Sequence, residues 1–301
     1  MVKLEIIGAN SSMAGELIRI LINHPEADIV NLYSPSLPGR SVASIHHGLI
    51  GETPLFFSDK FNLDNIDLVF IIENDPIVTE LLNQLENYPD LKIISLDTKI
   101  SSDSSIGISE INRKELVREA RKAYIPHPAV VVSLIPLVPL ARFMLLNSDI
   151  SIEISLPRDL INNTKPNEIE NLISQQLLNN QPSFNKKVNL TLQPSQNSGR
   201  EIEAKILMTS SLPLEEVENI YEQTYDDHNF TFLTSNDISG KDVEGTHKNL
   251  IQISKPDLDT LQIKTVADAR LRGGAGDAVH VMNLFFGLHE KTGLSLKPSR
   301  Y

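Results

Sequence analysis

The chain of 301 residues contains no cysteine. That absence excludes disulfides, thiolate metal sites and covalent catalysis through a thiol, and it fits a reducing compartment, so the expected location is the cytoplasm. Basic residues are scarce as well: 27 Lys and Arg stand against 39 Asp and Glu, a formal net charge of −12. Neutralising phosphates needs clustered cations, so nucleic acid is not an expected partner, and neither is an anionic membrane surface. Long uninterrupted apolar runs are missing too. The longest, Ala129 to Leu146, holds Pro136, Pro139 and Arg142 and reads as a buried helix rather than a membrane span. Met1–Gly8 carries Glu5 and is strand-like, so it is no signal-peptide core. No internal repeat and no G-x-S-x-G elbow is present. His46-His47 has no further ligands converging in sequence, so no metal site is expected there.

What is present is an ordinary globular composition, 41% hydrophobic and 22% charged, long enough for one large or two ordinary domains. Val2–Gly8 is an apolar run ending in glycine. Leu17, Ile18, Leu21 and Ile22 then recur at helical spacing until His24-Pro25. Asp28–Tyr33 is a second strand, giving a βαβ opening. Leu68–Ile72 and Leu91–Leu96 read as buried strands around a helix over Ile77–Leu85. Apolar strands alternating with helices indicate a parallel sheet covered on both faces.

After about Ser133 the pattern changes. Ile150–Leu156, Lys187–Leu192, Ile202–Met208, Phe230–Leu233, Leu250–Ile253 and Leu261–Val266 alternate more and read as strands of one sheet with helices on one face. Leu214–Tyr225 reads as a helix with an acidic first turn. The segment Asn162–Asn197, rich in Asn, Gln and Ser, reads as long exposed loops. Gly273-Gly274-Ala275-Gly276 precedes a closing apolar helix through Val279, Met282, Leu284, Phe285 and Phe286.

The turn between first strand and first helix is Gly8-Ala9-Asn10-Ser11-Ser12-Met13-Ala14-Gly15. Backbone N–H groups at such a helix start suit a dinucleotide pyrophosphate. Ser11 stands where a middle glycine would allow closest approach. The alternative reading is a capped helix start that binds nothing, because Ser and Asn are good N-caps. After the second strand, Ser34, Ser36 and Arg40 occupy the place of the acidic residue that favours NAD, and they suit a 2′-phosphate. A polar turn reads equally well. The cofactor expectation is therefore NADP or NAD, with candidate contacts at Gly8, Asn10, Ser11, Ser12, Met13, Ser34, Ser36, Arg40, Gly273, Gly274 and Gly276.

Ala14-Gly15-Glu16-Leu17-Ile18-Arg19-Ile20-Leu21-Ile22-Asn23-His24-Pro25-Glu26, Gly51-Glu52-Thr53, Gly273 to His280 with Met282-Asn283-Leu284, Gly293-Leu294 and Leu296-Lys297-Pro298 together resemble N-acetyl-γ-glutamyl-phosphate reductase, of the aspartate-semialdehyde dehydrogenase superfamily. The resemblance runs along nearly the whole chain. It implies an α/β fold: a Rossmann-type doubly wound parallel sheet over 1–128, to which a C-terminal helix over 275–301 returns, and an inserted α+β dimerisation domain over 129–274. It also implies NADPH-dependent reduction of an acyl phosphate, in which a thiolate forms a thioester that hydride reduces, with a histidine as acid/base.

The family's thiol lies in an Asn-Pro-Gly-Cys motif at a strand–helix junction, where the helix start lowers its pKa. Here that junction is Ile125-Pro126-His127-Pro128, which puts Pro128 at the nucleophile position. Ser133 lies further along the same helix. The family histidine falls near Lys165-Pro166-Asn167-Glu168, which leaves Lys165 as the candidate proton donor. A His-Gly turn beside the nicotinamide becomes Glu73-Asn74-Asp75-Pro76, and two carboxylates there would repel a pyrophosphate unless they point away. Arg200 falls in the substrate-phosphate region; Glu110, Asn112 and Arg113 match a further segment. Three expectations follow: a homologue without thiol chemistry that forms a homodimer or joins an active relative, an oxidoreductase using direct hydride transfer to an unidentified small molecule, or an interaction protein without cofactor.

Overall fold

A computed structural model describes residues 1–73, 75–96, 99–162, 164–195 and 199–298, apart from the side chain of Glu86. The chain forms two compact units. One contains Met1–Pro126 with Gly274–Ser295, and the other contains His127–Gly273. Among the described residues, no helix is long and apolar enough to cross a membrane.

The first unit is built from β1 (Val2–Ile7), α1 (Ser12–Leu21), β2 (Ala27–Tyr33), β3 (Leu68–Ile71), α2 (Ile77–Gln84), β4 (Lys92–Leu96), β5 (Ser105–Ile106), α3 (Ser109–Arg118) and β6 (Lys122–Ile125). Its six strands run in the order β2-β1-β3-β4-β6-β5 and every pairing is parallel. All four residues of β3 are buried, as a strand covered on both faces requires. Ile7, Val69, Ile71 and Ile93 pack with Val78 and Leu81 of α2. Glu5, in the interior strand β1, is also fully buried.

The second unit begins with α4 (Pro128–Arg142), followed by β7 (Ile150–Leu156), α5 (Arg158–Asn162), α6 (Pro166–Asn180), β8 (Val188–Pro194), β9 (Glu201–Thr209), α7 (Leu214–Tyr225), β10 (Thr231–Leu233), β11 (Asn249–Ser254) and β12 (Thr260–Asp268). The chain then returns to the first unit as α8 (Ala275–Phe285), which packs against α1 and α3. The second sheet is mixed, in the order β10-β11-β12-β9-β7-β8. Ile202, Ala204, Ile206 and Met208 of β9 are buried, while Glu203 and Lys205 lie on the other face.

Every residue of α4 from Pro128 to Ala141 is buried, although Pro136 and Pro139 interrupt it. A proline cannot donate to the carbonyl four residues back. For Pro139 that carbonyl is Ile135, and the Tyr225 hydroxyl of α7 donates to it instead. The Tyr221 hydroxyl donates to the Pro136 carbonyl.

Two expectations need correction. Asn162–Asn197 is not a long loop: it holds α6 and β8, apart from Asn163, Gln196 and Asn197, which lie outside the described residues. The polar residues cover the outer face of α6, while Ile169, Ile173 and Leu177, four apart, are buried. The C-terminal helix expected over 275–301 ends at Phe285, just before Gly287 adopts φ +63°. Residues 299–301 lie outside the described residues.

Candidate nucleotide site

The chain leaves β1 at Gly8, whose φ of +77° favours glycine. A Cβ there would stand 2.9 Å from the backbone nitrogen of Glu73, so the glycine also permits a close approach of the turn after β3. Ala9 N–H donates to the Tyr33 carbonyl (3.2 Å) and Ser11 N–H to the Gly8 carbonyl (3.2 Å), which fixes the turn to the end of β2. Ser11 is the N-cap of α1 and its hydroxyl accepts from Ala14 N–H at 3.2 Å. A hydroxyl that accepts retains its own hydrogen to donate. Ser12 and Met13 are the first helical residues, and their N–H groups have no carbonyl one turn back. No acidic residue lies in this first turn, and Glu16 is drawn to Arg19 at 3.1 Å.

Sequence reasoning missed one residue that shapes the turn. His46 lies in the loop after β2, and a Cβ on Gly15 would meet its Nδ1 at 2.6 Å. His46 Nε2 stands 2.8 Å from the Ala9 carbonyl, which only accepts, so Nε2 carries the hydrogen and donates. The glycine at 15 thus makes room for a side chain that braces the turn. The only sequence signal was the His46-His47 pair itself.

Ser34, fully buried, donates to Asn10 Oδ1 at 3.1 Å and lies 3.5 Å from the Ser36 hydroxyl. Asn10, Ser34 and Ser36 therefore form one polar chain beside the turn. Arg40 is exposed on the following loop, held through its backbone to Leu37 and Phe57. Gly274 caps α8 and Gly276 lies buried in its first turn. Gly273, at φ +70°, belongs to the second unit.

The acidic turn divides into two behaviours. Asp75 accepts from Ile77 N–H at 3.0 Å and so turns toward the first residue of α2. Glu73 is exposed where it abuts Gly8. Asn74 lies outside the described residues.

At the position the resemblance assigns to the nucleophile, Pro128 is the first residue of α4, a place proline favours. His127 caps that helix: its Nδ1 accepts from Ala129 N–H at 3.2 Å, and its Nε2 lies 3.1 Å from Thr164 Oγ1 and 3.2 Å from the Leu160 carbonyl. The Ser133 hydroxyl is buried and donates back to the Ala129 carbonyl at 2.7 Å. Lys165 is exposed and its ammonium binds Glu168 Oε1 at 2.7 Å. The hydrogen bond and charge of Glu168 raise its pKa, so it holds its proton more firmly than a free lysine. Arg200 pairs at 2.8 Å with Asp268, which also accepts from the N–H groups of Gly245 and Arg270. In the first unit, Arg113 and His280 both bind Glu290, and Glu110 is buried against Ser109. The burial of Glu290 opposes its ionisation, but His280 and Arg113 together hold its pKa below the usual range.

A family model described as "Semialdehyde dehydrogenase, NAD binding domain" matches residues 3–119. N-acetyl-gamma-glutamyl-phosphate reductase of Parabacteroides distasonis is 35% identical, with the whole of both chains covered. The protein of the same name from Phocaeicola vulgatus is 33% identical over the same extent. Among solved structures, aspartate semialdehyde dehydrogenase with NADP from Candida albicans aligns with a TM-score of 0.70 at 13% identity, covering 95% of this chain and 99% of that one. Aspartate semialdehyde dehydrogenase II complexed with ASA from Vibrio cholerae gives 0.69 at 14%, covering 95% and 98%. At such identities the two structures show a shared fold.

Proposed function

Because this chain belongs to the N-acetyl-γ-glutamyl-phosphate reductase family, we propose that it is a member without the thiol-dependent reduction, retaining a dinucleotide-type site on its first unit. One observation carries the reading: the chain has no cysteine anywhere, and the junction where the family places its thiol holds Pro128 as the first residue of α4. Proline offers no nucleophile. The neighbouring groups do not replace it, because Ser133 is bonded within its own helix and Lys165 is paired with Glu168 in solvent. Acylation of the enzyme therefore has no attacking atom.

The Gly8–Met13 turn fits a phosphate in part. The N–H groups of Ser12 and Met13 and the Ser11 hydroxyl are the donors that would hold it. Ser36 and Arg40 would meet a 2′-phosphate, which favours NADP over NAD. A bound nicotinamide would supply hydride. Against this, Ser11 places a Cβ in the turn and Glu73 brings a carboxylate near it, and both weaken affinity. The reading also places the chain in the cytoplasm as a homodimer.

Two measurements test the proposal. Mixing the protein with N-acetyl-γ-glutamyl phosphate should give no burst of inorganic phosphate, because no thiol is acylated; a burst stoichiometric with protein overturns the loss of covalent chemistry. Calorimetric titration with NADPH and NADH should show NADPH binding the more tightly, and no heat at about millimolar cofactor removes the nucleotide half of the reading.

A further inference from the structure

The nucleotide turn leaves the C-terminal ends of parallel strands, where ligands of doubly wound sheets bind. The first unit has a second concavity at the opposite ends of the strands, where β4 and β6 begin. It has a volume of about 430 Å³ and lies between residues 85–91 and the C-terminal end of α3. That volume is within the range of small-molecule sites. One wall is apolar and aromatic, formed by Leu85, Tyr88 and Leu91. The other carries charges of both signs, chiefly Glu119, Arg121 and Lys122.

Several of the charged groups there are already engaged. Lys122 pairs with Asp103 at 3.0 Å, and Glu115 accepts from Ser105 and, at 3.1 Å, from Asn112. Arg121 differs: it gives an N–H to the Pro89 carbonyl, which anchors its guanidinium beside the cavity. A guanidinium has five donors, so a planar fork suited to a carboxylate remains. Glu119 is exposed and is the C-cap of α3, where the last helical carbonyls add negative potential. A cation and an anion thus stand two residues apart beside an apolar wall. A ligand with one charge meets repulsion from one of them, whereas a zwitterion satisfies both.

We propose that this cavity binds a free α-amino acid with an aliphatic side chain: its carboxylate on the Arg121 guanidinium, its ammonium on Glu119, and its side chain against Leu85, Tyr88 and Leu91. The site stands apart from the nucleotide turn and rests on no part of the reading given for it.

The test is calorimetric titration of the full chain with L-leucine, L-methionine and L-lysine, together with two analogues of leucine. One, 4-methylpentanoate, lacks the ammonium; the other, 3-methylbutylamine, lacks the carboxylate. Leucine and methionine should bind at about 10 mM or below, lysine more weakly than either, and each analogue about tenfold more weakly than leucine. Arg121→Gln and Glu119→Gln should each weaken amino-acid binding about tenfold, with the melting temperature of the free protein unchanged. No heat from leucine or methionine overturns the proposal, as does lysine binding more tightly than both. So does an analogue that binds as tightly as leucine, or amino-acid affinity that either substitution leaves unchanged.

Discussion

Replacing Glu5 by glutamine should stabilise the protein at neutral pH, because the fold holds this carboxyl where its charge is unwelcome. Glu5 is fully buried in β1; Asn31 donates to its Oε1 at 2.8 Å, and its Oε2 has no partner. Burial raises its pKa from the ordinary 4.5 to about 8, against the smaller opposing effect of Asn31. The unfolded chain therefore loses the proton near pH 4.5, while the folded chain keeps it until about pH 8. Between those values the native state binds more protons than the unfolded state, so this group makes stability fall as pH rises. Each pH unit in the window is worth about 1.4 kcal/mol, so Glu5 costs the fold about 3 kcal/mol at pH 7 and about 5 kcal/mol above pH 8. Glutamine keeps the acceptor for Asn31 and removes the ionisation. Urea unfolding of both proteins from about pH 5 to pH 8 isolates the effect, because other titrations cancel in the difference. Among these is His24, whose pKa burial lowers and whose slope has the opposite sign. The advantage of Glu5→Gln should grow with pH across the window. A difference between the two proteins that stays flat over that range would refute the reasoning.

Three further outcomes follow from particular contacts. Tyr225→Phe removes the donor that replaces the missing Pro139 N–H, leaving the Ile135 carbonyl of a buried helix without it, and should cost about 1–3 kcal/mol in chemical denaturation; a loss below a few tenths would contradict that role. Met144 follows α4 at φ +59°, and its N–H donates to the Ala141 carbonyl at 2.9 Å. Its side chain is half exposed, so Met144→Gly should stabilise by about 1 kcal/mol, and a lower melting temperature would be the opposite result. Pro128→Cys supplies a thiol at a helix start but not the acid/base histidine of the family, near whose place Lys165 stands. It should show no reductase turnover, so recovered activity would mean that the rest of the machinery survives.

The fold was legible wherever periodicity and breakers agreed. The helix read over Leu214–Tyr225 has those bounds because Val217, Tyr221 and Tyr225 bury one stripe and Pro213 precedes it. β1, α1 and β2 were readable for the same reason. α6 was hidden because its outer faces are polar, and α3 because its buried residues are Ser109, Glu110 and Leu116 rather than an apolar stripe. At the site, the turn of residues 8–15 and the cap at Ser11 were local and therefore readable. The brace from His46 to Ala9, the bond from Ser34 to Asn10 and the packing of Glu73 on Gly8 join residues far apart in sequence, and no local pattern announces them. Asp75, read as one of two acids near a phosphate, turns instead to the start of α2.

The central claim is that a reductase-family fold persists here without its thiol chemistry. Steady-state oxidation of NADPH by the purified protein, with N-acetyl-γ-glutamyl phosphate as substrate and a cysteine-containing relative run in parallel, tests that most directly. The expected result is a rate indistinguishable from the protein-free control. Turnover in the ordinary enzymatic range of about 1–1,000 per second would contradict it.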